Sequence, residues 1–108
     1  MITEVTPKEL ARQLQTRPGQ LVLLDVRETL EREQASLEPS VHIPMQEVPW
    51  RLAELPKDRT IVVFCHTGGR SAMVAGFLDQ QGYGHVANLR GGIDAWSRDV
   101  DPSVPRYG

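Results

Sequence analysis

Ile61-Val62-Val63-Phe64-Cys65-His66-Thr67-Gly68-Gly69-Arg70-Ser71 is the stretch on which the reading of this chain turns. It opens on an apolar run rich in β-branched residues, the pattern of a short strand buried on both faces. From about Ser71 to Gln81 the residues Met73, Val74, Phe77 and Leu78 recur at helical spacing, and Gly82 and Gly84 close the helix. The chain therefore passes from a buried strand, through a tight glycine turn, into a helix. Gly68 and Gly69 let the backbone curl and expose its N–H groups. At a helix N-terminus such a turn is a cradle for negative charge. Cys65 stands at its entrance, where those dipoles lower a thiol pKa and make the sulfur a nucleophile without a dedicated base. The plainer alternative is a small, inert core cysteine at a strand end. The Gly-Gly-Arg-Ser continuation and the helix start favour the nucleophile.

Working outward, Leu21-Val22-Leu23-Leu24 is a second continuous apolar run, followed by Asp25-Val26-Arg27, and Val86-Ala87-Asn88-Leu89 is a weaker third. Thr6-Pro7-Lys8-Glu9 predicts a helix start: Thr6 caps, Pro7 suits the first helical position and Glu9 completes a capping box. Leu10, Ala11 and Leu14 supply its apolar stripe, and Arg17-Pro18-Gly19 ends it. A further helix is expected from roughly Met45 to Leu55, with Pro49 near its start. Strands alternating with helices predict an α/β fold, a central mainly parallel sheet flanked by helices in three layers. Right-handed crossovers place the C-terminal strand ends along one edge, where sites of open α/β sheets gather. Asp25-Val26-Arg27 and Cys65 to Ser71 are therefore expected to meet, although about forty residues separate them.

Composition bounds the rest. The chain of 108 residues has the length of one domain, 1–108, whose stretch 99–108, with prolines at 102 and 105, reads as an extended tail. A net charge of −2 gives no electrostatic case for nucleic acid. No basic, apolar leader is visible, and the apolar runs fall far short of the ~20 residues that span a bilayer. The expectation is a soluble, cytoplasmic, monomeric protein without a membrane partner. One cysteine excludes an internal disulfide, and one Cys with three scattered His lacks the paired spacing of a zinc site, so no metal is expected.

Strand, then Cys65-x-x-Gly68-x-Arg70, then helix resembles the active-site loop of the rhodanese sulfurtransferases. Leu24-Asp25-Val26-Arg27-Glu28 resembles that family's first motif, His42-Ile43-Pro44 the segment before its next helix, and Leu89-Arg90-Gly91-Gly92-Ile93-Asp94-Ala95-Trp96 its C-terminal Gly-Gly-x-x-x-Trp motif. The set runs from about Ile2 to Trp96 in the family's order and spacing. One departure is Ala35 to Ser40, which has the family's length there but lacks its two glycines.

The resemblance implies a rhodanese-like fold and a two-step transfer needing no cofactor. Cys65 would take sulfur from a small anionic donor such as thiosulfate, hold it as a persulfide, and pass it to cyanide, a thiol or a protein acceptor. The backbone N–H groups of His66, Thr67, Gly68, Gly69, Arg70 and Ser71 are expected to bind the anionic sulfur. The Arg70 guanidinium is expected to turn toward the loop or toward Asp25. Asp25 and Arg27 read as framework ion-pair residues, His66 and Thr67 as the pocket mouth, His42 and His85 as structural or solvated, Trp96 as a core anchor and Trp50 as exposed.

Two rivals remain. Phosphatases and arsenate reductases that share the fold use Cys-x5-Arg, whereas only four residues separate Cys65 from Arg70, which encloses a smaller pocket. Rhodanese-like domains without the cysteine serve as non-catalytic binding modules; Cys65 and its glycine loop count against that reading. The segment from Asp94 to Tyr107 also resembles the C-terminal rhodanese domains of molybdopterin-synthase sulfurylases, which implies a protein as sulfur acceptor.

Overall fold

The computed structural model describes residues 2–108. The apolar run Ile61 to Phe64 lies in the middle strand, β4 (Thr60–Phe64), of a five-stranded sheet. Its companions are β1 (Ile2–Val5), β2 (Leu21–Asp25), β3 (Val41–His42) and β5 (Val86–Leu89), in the order β1-β5-β4-β2-β3. Every pairing is parallel. The register of β2 on β4 sets Leu24 beside Val63 and Asp25 beside Phe64. The end of β2 therefore arrives next to Cys65.

The alternation along β4 shows why the sheet is covered on both sides. Ile61, Val63 and Cys65 face one apolar cluster with Val74, Ala75 and Leu78, while Val62 and Phe64 face another with Leu10, Ile93 and Trp96. The first layer is built on α3 (Gly69–Gln80) and the second on α1 (Pro7–Thr16) and α4 (Gly92–Asp99). Phe64 and Leu24 have no exposed surface. Full burial of side chains of this size contributes about 1.5–3 kcal/mol each before entropy is counted. The fold is the expected α/β arrangement, with a wholly parallel sheet between helical layers.

Local chemistry fixes the helix ends. At α1 the Thr6 hydroxyl accepts from the Glu9 N–H at 3.2 Å and the Glu9 carboxylate accepts from the Thr6 N–H at 2.8 Å, the expected capping box. The short α2 (Thr29–Gln34) follows Arg27. Between Ala35 and Ser40, the stretch without glycines, the chain turns through a cis Glu38–Pro39 bond.

The helix expected from Met45 to Leu55 is absent. Two 3-10 turns, Met45–Trp50 and Leu52–Glu54, stand in its place. Pro49 inside the first has no N–H to donate to a preceding turn, so the tighter, shorter winding prevails. The tail also differs from the expectation. Asp99 belongs to α4, and the residues after it fold back, with Val104 and Tyr107 packed on the α1–α4 layer. Arg106 pairs with Asp94 at 3.0 Å. No helix among the described residues is long and apolar enough to cross a membrane.

Candidate active site

Cys65 follows the last residue of β4, and α3 begins four residues later. Gly68 makes the turn between them with φ +111°, a conformation that side chains with a Cβ rarely adopt. The curl returns the backbone onto the sulfur. Sγ accepts the Gly68 N–H at 3.1 Å, the Ser71 N–H at 3.4 Å and the Ser71 hydroxyl at 3.3 Å. Burial of Cys65 works to raise its pKa, but the Ser71 hydroxyl and the N–H groups of Ser71, Gly68 and Thr67 outweigh it and leave the thiol below its usual range. The N–H groups of Gly69 and Arg70 lie in the first helical turn and have no partner within α3.

A second ring of residues holds this cradle. The Ser71 hydroxyl lies against Asn88 Oδ1 as well as Sγ. The Asn88 amide N–H2 donates to the Gly68 carbonyl at 3.3 Å and to the Glu4 carboxylate at 3.1 Å. Below the loop, the carbonyls of Cys65 and His66 accept the N–H groups of Ile93 at 2.9 Å and Asp94 at 3.1 Å. The start of α4 thus finds its hydrogen-bond acceptors in the cysteine loop itself.

Asp25 and Arg27 form the expected framework pair. Both are fully buried, and the Arg27 guanidinium donates to the Asp25 carboxylate at 2.8 and 2.9 Å. Arg27 also donates to the Ala35 carbonyl at 2.8 Å, and Arg32 reaches Asp25 at 3.1 Å. Desolvation opposes the Arg27 charge, but Asp25 and Tyr107 raise its pKa on balance.

The Arg70 guanidinium, expected to turn toward the loop or toward Asp25, makes its ion pair elsewhere. It forms a two-pronged pair with Glu31, at 2.6 and 2.7 Å. Glu31 sits on α2, directly in reach of the start of α3, and offers a more exposed carboxylate than the buried Asp25 already claimed by two arginines. The Tyr107 hydroxyl donates to the same Glu31 carboxylate at 2.8 Å and accepts from Arg27 at 3.1 Å. The Tyr107 ring lies flat on His66, centroids 4.1 Å apart and planes 16° apart. His66 therefore sits under the tail, Thr67 is exposed, and Ser71 is buried.

His42 is structural: its Nε2 meets the Arg27 carbonyl at 2.7 Å. His85 is exposed, Trp96 is a core residue at 7% exposure, and Trp50 is 72% exposed. Nothing in the spacing of the sequence marks Glu4, Glu31 or Tyr107 as belonging to this site. Asn88 carries the one available signal, a polar residue inside the apolar run Val86 to Leu89. Among the described residues, no group of three or more His, Cys, Asp or Glu could hold a metal ion.

Residues 6–99 match the Rhodanese-like domain family. A protein of Allochromatium vinosum named Sulfurtransferase is 39% identical over 108 residues, covering 100% of both chains. The adenylyltransferase and sulfurtransferase MOCS3-1 of Zea mays is 33% identical over 93 residues, 80% of this chain and 20% of that protein. Among solved structures, a rhodanese-related protein from Thermoplasma volcanium superposes with a TM-score of 0.84 at 28% identity, covering 97% of this chain and 99% of the other. These matches support sulfur transfer as the general chemistry of the chain, which belongs to the rhodanese-like domain family.

Proposed function

We propose that the chain moves sulfane sulfur from an anionic donor, thiosulfate or a similar species, to a thiol, cyanide or protein acceptor by way of a persulfide on Cys65. The observation that carries this reading is the set of donors converging on Sγ: two N–H groups and one hydroxyl within 3.4 Å. They lower the cost of a thiolate at rest, and in the second step they favour the same thiolate as leaving group.

The Cys65 thiolate attacks the outer sulfur of thiosulfate. A new S–S bond forms, the original one breaks, and sulfite leaves with its electron pair. Total charge is unchanged, and the enzyme holds Cys65–S–S⁻. The first-turn N–H groups of Gly69 and Arg70, which have no partner within α3, are the proposed donors to the outer sulfur. An acceptor nucleophile then attacks that sulfur and Cys65 departs as thiolate. His66 has no part as a base, because no step requires a proton from Cys65 once it is ionised.

Steady-state kinetics with thiosulfate and cyanide test the scheme. Parallel double-reciprocal lines, with turnover abolished in Cys65→Ser, are expected of a covalent sulfur carrier. Intersecting lines, or turnover retained in Cys65→Ser, contradict it. A folded wild-type protein with no turnover on any sulfur donor would leave the binding-module reading in its place.

A further inference from the structure

The guanidinium groups of the elements that surround the cradle are matched by carboxylates, most of them at short range and, in the case of Arg90 with Glu4, at 3.9 Å. Arg27 is paired with Asp25, Arg32 with Asp25 and Glu38, Arg106 with Asp94, and Arg70 with Glu31. Arg70 matters most, because it lies within the cysteine loop, where its charge and that of a Cys65 thiolate attract each other. Its two terminal nitrogens are both committed to Glu31. Glu31 is itself held from several sides: the Tyr107 hydroxyl and the Glu28 N–H donate to it at 2.8 and 3.1 Å. With Arg70 as the main cause, its pKa falls to about 2, so the carboxylate stays charged across the neutral range.

We propose that Glu31 is a specificity-determining residue: with Tyr107 it commits the Arg70 guanidinium to its own carboxylate, so the site favours a singly charged or neutral donor, a small-thiol persulfide, over dianionic thiosulfate. This rests on the sulfur-transfer reading above and names its donor class. A dianion entering beside an anionic Sγ needs a free cation, and Arg70, the one guanidinium within the cysteine loop itself, is already paired. A persulfide R–S–SH needs none. The thiolate attacks its outer sulfur, R–S⁻ leaves, and Cys65–S–SH remains with charge and atoms balanced. The backbone cradle serves both donors alike; only the sulfonate end of thiosulfate calls on Arg70.

The test reads the local field without relying on turnover. Reduced protein is alkylated at low ionic strength with anionic iodoacetate and with neutral iodoacetamide, and the ratio of rates is taken. Both reagents attack the same thiolate, so changes in its population cancel in the ratio. Glu31→Gln is expected to raise the iodoacetate-to-iodoacetamide ratio about threefold or more. The same substitution in an Arg70→Gln background removes the charge of the carboxylate but frees no guanidinium, and a clearly smaller rise is expected. An unchanged ratio, or an equal rise without Arg70, overturns the proposal. If Glu31→Gln does not fold, Tyr107→Phe loosens the same carboxylate without a change of charge; a raised ratio is expected, and an unchanged one overturns the proposal. In parallel, Glu31→Gln should speed sulfur loading from thiosulfate more than from a small-thiol persulfide. Equal effects on both donors overturn the assignment of donor class. A raised ratio with no loading of Cys65 from either donor would leave the hold on Arg70 standing and remove the sulfur-transfer reading instead.

Discussion

Gly92 lies so close beneath His66 that a Cβ on it would stand 2.4 Å from the His66 carbonyl oxygen and 2.5 Å from that of Cys65. Its φ is +64°. The close approach is what lets α4 give its first N–H groups to the cysteine loop, so the second glycine pair of the chain shapes the first. Gly92→Ala should therefore lose about 2–4 kcal/mol of stability through clash and backbone strain together. Gly69, with open space around its Cα and no positive φ, should tolerate alanine within about 1 kcal/mol. Urea unfolding of the two variants checks the contrast.

The buried Asp25–Arg27 pair gives a second test. Asp25→Ala leaves a fully buried guanidinium without its carboxylate, and a loss of about 3–5 kcal/mol is expected. Removing Arg27 instead leaves Asp25 with Arg32 at 3.1 Å, so Arg27→Leu should cost less than Asp25→Ala. Denaturant midpoints that rank the two the other way contradict the picture.

Ser71 touches Sγ through both its N–H and its hydroxyl. Ser71→Ala removes a donor that favours the thiolate, so the pH midpoint of Cys65 alkylation should move up. At neutral pH the rate should fall about threefold to tenfold, and at high pH, where both thiols are ionised, the rates should converge. A loss that persists at high pH would point to disturbed access instead.

Glu31 links the site to acid stability. Its carboxyl falls from 4.5 to about 2 in the fold, chiefly through Arg70. A depressed acid stabilises the fold above its unfolded pKa, and that contribution is lost as pH falls from about 4.5 toward 2. Acid unfolding curves of Glu31→Gln should show a shallower loss of stability over that window than the wild type.

What could be read from the sequence follows from which signals are local. β2 and β4 are continuous apolar runs, and the cradle at Cys65 lies within a few residues of its own strand and helix, so pattern alone discloses them. β1 carries Thr3 and Glu4 at the sheet edge, and β3 is only Val41–His42; neither has the length or apolarity to announce a strand. Pro49 sat inside a helix-like pattern that tertiary packing resolved as 3-10 turns. The partner of Arg70 was illegible for another reason. Glu31 is 39 residues away and Tyr107 is 76 from Glu31, a closeness made by the β2–β4 register and the folded-back tail, not by any spacing in the chain.

Intact mass of the reduced protein after incubation with a sulfur donor, thiosulfate and a small-thiol persulfide in separate arms, tests the central claim most directly. The account predicts a gain of about 32 Da, one sulfur atom, that is reversed by cyanide or dithiothreitol and absent in Cys65→Ser. A folded protein whose Cys65 alkylates readily but gains no sulfur from either donor would contradict it.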